Sequence, residues 1–122
     1  MSDRLMAVAN ALVSACRNNE SCLDTLYAED AVSVEAAAAE GQPRIRNGRD
    51  AIRAKHEWWS ETFETHSNSV DGPYPHGDDR FAVVFQSDTS NRATGERVSH
   101  REIAVYHVQD GLICREEFFY QA

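Results

Sequence analysis

The sequence predicts an α+β fold in which helices pack into a strongly curved, mixed but mainly antiparallel sheet, and three observations carry that prediction. Apolar residues recur at helical spacing early in the chain, at Leu5, Val8, Ala9, Leu12, Val13 and Cys16, and again at Ile52, His56, Trp59 and Phe63. From Thr65 onward the pattern changes to the alternation of strands. The last two strands, Thr94–Val108 and Leu112–Gln121, fold back on each other at Gln109-Asp110-Gly111. Helices first, with one strand among them, then four consecutive antiparallel strands, suit a sheet wrapped round a helix, and the long third helix is expected to fill the concave side.

Each element has a local cause. Ser2 or Asp3 is available to cap the first helix, and Arg17-Asn18-Asn19 closes it. A short second helix is expected from about Glu20 to Tyr27, capped by Asn19, with Leu23, Leu26 and Tyr27 as its apolar stripe. Val32 and Val34 alternate with Ser33 and Glu35, so Ala31–Ala36 reads as a strand, before the run Ala37-Ala38-Ala39 blurs the signal. Gly41, Pro43 and Gly48 mark a loop, and the third helix runs from Arg49 to Phe63. A strand around Val70 is expected to break at Gly72-Pro73-Tyr74-Pro75, and Gly77-Asp78-Asp79 makes an exposed turn before Phe81-Ala82-Val83-Val84-Phe85. The closing pair is expected to join through a three-residue turn with Gly111 in the left-handed conformation.

A chain of 122 residues has room for one domain with a real core. Its net charge of -8 removes any general field attracting nucleic acid or an anionic membrane, so neither is expected as a partner. Three cysteines, Cys16, Cys22 and Cys114, lie in apolar contexts without a CxxC spacing, which suits buried thiols in a reducing cytoplasm. No signal-peptide pattern opens the chain and no apolar run reaches membrane-spanning length, so a soluble cytoplasmic protein is expected.

The closing strands carry the chemistry. His100, Glu102, Ala104 and Tyr106 share one side of the first, and Cys114, Glu116, Phe118 and Tyr120 share one side of the second. Carboxylates and an imidazole interleaved with aromatics make poor core and poor solvent surface, which is what a half-dry ligand pocket needs. On the opposite face, Arg101, Ile103, Val105 and His107 beside Ile113, Arg115, Glu117 and Phe119 are too apolar to be fully solvated. That face suits a two-fold homodimer, with Arg115 and Glu117 as ion-pair partners across the axis.

Three local strings carry a family likeness: Leu26-Tyr27-Ala28-Glu29-Asp30-Ala31, Asn47-Gly48-Arg49-Asp50-Ala51-Ile52, and the segment from Val105 to Ile113 followed by Arg115-Glu116-Glu117-Phe118-Phe119-Tyr120. With the order of elements, they resemble the NTF2-like superfamily of cystatin-like fold, in particular its SnoaL-like and ketosteroid-isomerase-like branches. The likeness covers nearly the whole chain and implies a single domain over residues 1–122. It does not imply one reaction, since the superfamily includes isomerases, dehydratases, cyclases, hydrolases and non-catalytic members. It implies Glu35 at the position of the proton-abstracting carboxylate of the steroid isomerases. The two oxyanion donors of that branch match Ala11 and Ala104 here, so steroid isomerisation in that form lacks its main electrostatic stabilisation.

The candidate catalytic residues are therefore Glu35, as a desolvated base or else an edge residue facing water, and the pair His100 and Glu102. Glu102 needs a partner if buried, and His100 or Glu116 can supply it, for proton transfer or for a structural network. His100, Glu102 and Glu116 are also types that suit zinc or iron, but no paired-histidine motif accompanies them, and neither metal nor cofactor is expected. Tyr106, Glu116, Phe118 and Tyr120, with His56 and Trp59 from the third helix, are the expected ligand-binding residues. The expected function is acid-base chemistry on a small hydrophobic carbonyl-type molecule, by isomerisation, dehydration or ring closure. The alternative is a non-catalytic ligand-binding or dimerisation module of the same fold.

Overall fold

The computed structural model describes residues 3–121, with elements α1 (Asp3–Arg17), α2 (Leu23–Leu26), β1 (Tyr27–Val34), β2 (Ile45–Asn47), α3 (Arg49–Thr62), β3 (Phe63–His76), β4 (Arg80–Asn91), β5 (Arg97–Gln109) and β6 (Leu112–Phe119). The strands form one six-stranded sheet in the order β2-β1-β6-β5-β4-β3. β1 runs parallel to β6 and every other neighbouring pair is antiparallel, so the sheet is mixed and mainly antiparallel as the sequence predicts. Ser2, one of the two expected caps of α1, lies outside the described residues.

The core lies between α1 and the sheet. Leu5, Val8, Ala9, Leu12 and Val13 are buried on one face of α1 and meet Phe81, Val83, Ala104, Tyr106 and Ile113 from the strands. Phe81 stacks on Tyr106 with ring centroids 5.0 Å apart. Burial of each of the larger apolar side chains among these contributes roughly 1.5–3 kcal/mol. Most of the buried helical residues come from α1; α3, expected to fill the concave side, faces the same side of the sheet across a cavity and contributes only Ile52 to the fully buried set. The later turns of α3 carry Lys55, His56, Trp58 and Trp59, side chains too polar or too bulky to close down on the sheet, and space remains beneath them.

Several boundaries differ from expectation for identifiable reasons. Asn19 takes a positive φ of 54° after α1, and helix α2 shrinks to Leu23–Leu26 because Tyr27 pairs in parallel with Ile113 and begins β1. Strand β1 accordingly spans Tyr27–Val34, starting four residues and ending two residues earlier than expected. Strand β2, read as loop from the sequence, has three residues, too few for alternation to show; it is held by pairing of Val34 with Ile45 and of Val32 with Asn47. Instead of breaking at Gly72-Pro73, β3 continues to His76 with a register shift between Asp71 and Tyr74. An edge strand with an irregularity is where proline's missing N–H is tolerated.

The closing hairpin is corrected in two ways. Gln109 pairs with Leu112, so only Asp110 and Gly111 form the turn, with φ of 54° and 78°, the two positive values of a two-residue turn whose twist matches the strands. Next to it, His107 pairs with Arg115 and Val108 with Ile113, which leaves Cys114 as the extra residue of a bulge. The bulge shifts the parity of the strand's start: Ile113, expected on the outer face, is fully buried in the core, and Cys114 drops out of the inward series. Alternation then resumes with Glu116 and Phe118 inward.

Candidate functional site

A cavity of about 740 Å³ opens between α3, the 35–43 segment and the far halves of β4, β5 and β6. Among the expected residues, Glu35, His56, Trp59, His100, Glu102, Phe118 and Tyr120 line it. Tyr106 and Glu116 do not. Tyr106 is a core residue stacked on Phe81, and Glu116 is buried behind the wall.

The deepest polar feature is an ordered network around Lys55, a residue that sequence reasoning passed over. Its ammonium donates to Glu35 Oε2 at 2.8 Å and to Ser33 Oγ at 2.5 Å, and lies 3.6 Å from Glu116 Oε2. It also sits 4.6 Å above the Phe118 ring, a favourable place for a cation. Glu116, 1% exposed, accepts the Tyr27 hydroxyl on one oxygen and the Ser33 hydroxyl, at 2.6 Å, on the other. Parallel pairing of Ser33 with Glu116 sets that contact, so the β1–β6 ladder builds the network directly. The buried carboxylate is therefore satisfied three ways, as a charge in the interior must be. Burial and the neighbouring Glu116 charge push the Tyr27 hydroxyl pKa well above its ordinary value, so Tyr27 stays a proton donor. The signal for Lys55 in the sequence is its place three residues after Ile52, on the inward face of α3; a lysine is usually read as solvated.

Glu35 lies just beyond the end of β1. Its other oxygen accepts the Tyr120 hydroxyl at 3.1 Å, and the same hydroxyl lies 3.3 Å from the Ala37 carbonyl. Tyr120 lies past the last residue of β6, and its pKa is raised by desolvation and then by Glu35. Both Glu35 oxygens are thus engaged by the protein, one of them in an ion pair.

Along β5, His100 Nε2 meets Glu102 Oε2 at 3.2 Å. Of the two partners open to Glu102 in the sequence, the structure selects His100. The hydrogen bond to Glu102 raises the imidazole pKa against an opposing desolvation effect, so its protonated form persists to higher pH than in a free histidine. The ring also packs edge-on against Tyr120, with centroids 5.2 Å apart. His56 shows the opposite shift: desolvation is the largest effect on it, Lys55 and Arg53 add to it, and the imidazole is kept neutral in the cavity wall. Trp58 and Trp59 pack against Phe63 with centroids 6.0 and 5.2 Å apart and form the apolar wall facing the carboxylates.

Arg46 lines the cavity beside the alanine run; its two terminal nitrogens donate to the Ala51 carbonyl and to Gln42 Oε1. Its Nε is the one buried side-chain polar atom without a hydrogen-bond partner among the described residues. Ala104 is fully buried and supplies no donor, and Ala11 lies on the solvent face of α1, away from the cavity. Asp88 points to the opposite sheet face from Ser87 and Thr89 and takes a two-pronged contact from Arg97, at 2.9 Å to each oxygen. Among the described residues no three His, Cys, Asp or Glu side chains converge to hold a metal. Burial pushes the thiols of Cys16 and Cys22 up to about 12 and about 11, which keeps them protonated and poor nucleophiles.

On the outer sheet face Ile103 and Phe119 are 44% and 51% exposed, a larger apolar surface than single scattered residues give. Arg115 contacts Glu117 on its own strand at 3.0 Å, with His107 3.8 Å from the same oxygen. No helix among the described residues is long and apolar enough to cross a membrane.

Comparison with known proteins agrees with this architecture. The profile of the SnoaL-like domain matches residues 3–120. The chain is similar to a candidate SnoaL-like polyketide cyclase from Mesorhizobium loti, at 36% identity over 95% of this chain and 98% of that one, with a TM-score of 0.86. It also shares its fold with an NTF2-like protein of unknown function from Burkholderia pseudomallei, at 16% identity, 99% and 92% coverage and a TM-score of 0.78. A protein with a ketosteroid-isomerase-like fold from Catenulispora acidiphila superposes at 15% identity, 93% and 85% coverage and a TM-score of 0.71. No curated protein matches the chain.

Proposed function

The chain belongs to the SnoaL-like domain family, and from that membership and its cavity we propose an enzyme that performs cofactor-independent acid-base chemistry on a small, mostly apolar molecule activated by a carbonyl group. The observation that carries this reading is the hydrogen-bonded His100–Glu102 pair in the wall of a cavity otherwise faced by Trp58, Trp59, Phe63 and Phe118. His100 gives a proton to the substrate oxygen, and Glu102 holds its imidazolium. Glu35, oriented by Lys55 and Tyr120, takes a proton from the neighbouring carbon, so that one proton enters the substrate and one leaves. Isomerisation, dehydration and ring closure all fit that exchange.

A second reading is favoured by one observation: both oxygens of Glu35 are already engaged within the protein, and Lys55 is tied to Ser33, Glu35 and Glu116. A site so saturated also suits a module that binds a small molecule without transforming it. Glu102→Gln separates the two, since it preserves shape while removing the charge that holds His100. A panel of cyclic unsaturated ketones and β-hydroxyketones, assayed with wild type and variant, is expected to yield a substrate whose turnover falls about a hundredfold in the variant. Binding without turnover by wild type would establish the module instead.

The same proposal places the protein in a reducing cytoplasm, in keeping with its three free cysteines, and pairs two copies through the outer face around Ile103 and Phe119.

A further inference from the structure

We propose that the molecule occupying this cavity carries, besides its apolar body, a protonated nitrogen, held between the tryptophan wall and the carboxylates. The inference rests on the cavity being a ligand site, as proposed above, and adds the charge of the ligand.

The two permanent cations of the wall are already held by the protein's own acceptors. Lys55 donates to Ser33 and Glu35 and lies 3.6 Å from Glu116 Oε2; Arg46 donates one hydrogen bond from each terminal nitrogen, to the Ala51 carbonyl and to Gln42 Oε1, and its Nε is sealed from solvent. His100 Nε2 is turned to Glu102. Acceptors, in contrast, remain open: among the described residues Glu102 Oε1 and both oxygens of Glu96, on the hairpin loop at the cavity rim, have no hydrogen-bond partner.

The charge balance agrees. Glu35, Glu96, Glu102 and Glu116, four carboxylates, stand in or behind the wall against Arg46, Lys55 and, when protonated, His100, so negative charge is in excess even then. A carboxylate or phosphate entering such a space meets the repulsion of the wall's carboxylates, whereas an ammonium finds both carboxylate oxygens and indole faces. Trp59 is 38% exposed and so presents its ring to the space rather than to the core.

Both tryptophans of the chain lie in the cavity wall, so selectively excited tryptophan fluorescence reports on this site. Three probes of nearly equal shape and no overlapping absorbance, cyclohexylmethylammonium, cyclohexylmethanol and cyclohexanecarboxylate, are titrated against the full chain at low ionic strength. The ammonium is expected to bind at least about tenfold tighter than the alcohol, and the carboxylate to give no saturable change. Glu102→Gln, and independently Glu96→Gln on the exposed loop, should narrow the gap between ammonium and alcohol several-fold. Equal binding of alcohol and ammonium, tighter binding of the carboxylate, or a gap unmoved in both variants would overturn the inference while leaving the cavity a ligand site. Silence with all three probes would remove the ligand site itself.

Discussion

Replacing Lys55 with methionine is expected to cost about 3–5 kcal/mol of folding stability, because it strips a buried carboxylate of its counter-charge. Glu116 is fully enclosed and has no route to water; with the ammonium gone it keeps only the hydroxyls of Tyr27 and Ser33. Methionine covers much the same apolar surface as the lysine stem, so the loss measures charge rather than packing. Adding Glu116→Gln to the first change removes the stranded charge, and the double variant should recover at least about 1 kcal/mol relative to Lys55→Met alone. Denaturant unfolding of the four proteins reads the cycle. A single variant within about 0.5 kcal/mol of wild type would mean that the ammonium does not compensate Glu116.

Phe81→Ala is expected to destabilise by about 3–5 kcal/mol as well, for a different reason. Phe81 is fully buried and stacked on Tyr106 at the centre of the contact between α1 and the sheet, so truncation leaves a hole that backbone cannot close. The outcome also tests where core ends and cavity begins. Were the stacked pair part of the ligand space, the variant would keep its unfolding midpoint and alter ligand binding instead. The placement of Tyr106 beneath the cavity predicts the reverse: lost stability, with probe affinity per folded molecule retained.

These two residues also mark what the sequence discloses and what it hides. Helical spacing on α1 and α3 and alternation on β4 to β6 gave the fold class, because those elements are long enough for their periods to repeat. The inward set His100, Glu102, Phe118 and Tyr120 followed from alternation, and all four line the cavity. Depth did not follow: Tyr106 and Glu116 lie on the same face by parity, yet one belongs to the core and the other to a buried ion pair, since period 2 gives a side and not a distance. The bulge at Cys114 was hidden because an extra residue leaves no compositional trace. Lys55 was missed because its partners, Ser33, Glu35 and Glu116, come from two other elements that only the parallel β1–β6 pairing brings together. The unequal packing of α1 and α3 was hidden for a related reason: an apolar stripe shows that a helix packs, and the bulk of Trp58 and Trp59 decides how closely.

The proposed chemistry depends on His100 and Glu102 acting as one hydrogen-bonded pair in the cavity wall, and nuclear magnetic resonance titration of the His100 ring tests that most directly. The imidazole should titrate above the ~6.5 of an unperturbed histidine, and in Glu102→Gln its midpoint should fall back, because the hydrogen bond to that carboxylate is the largest cause of the shift. Since the folded-state value is the raised one, the pair's contribution to stability is complete below the unfolded-state value and is lost as pH rises through the folded one. A His100 that titrates at or below the ordinary value, or one indifferent to Glu102→Gln, would contradict the account.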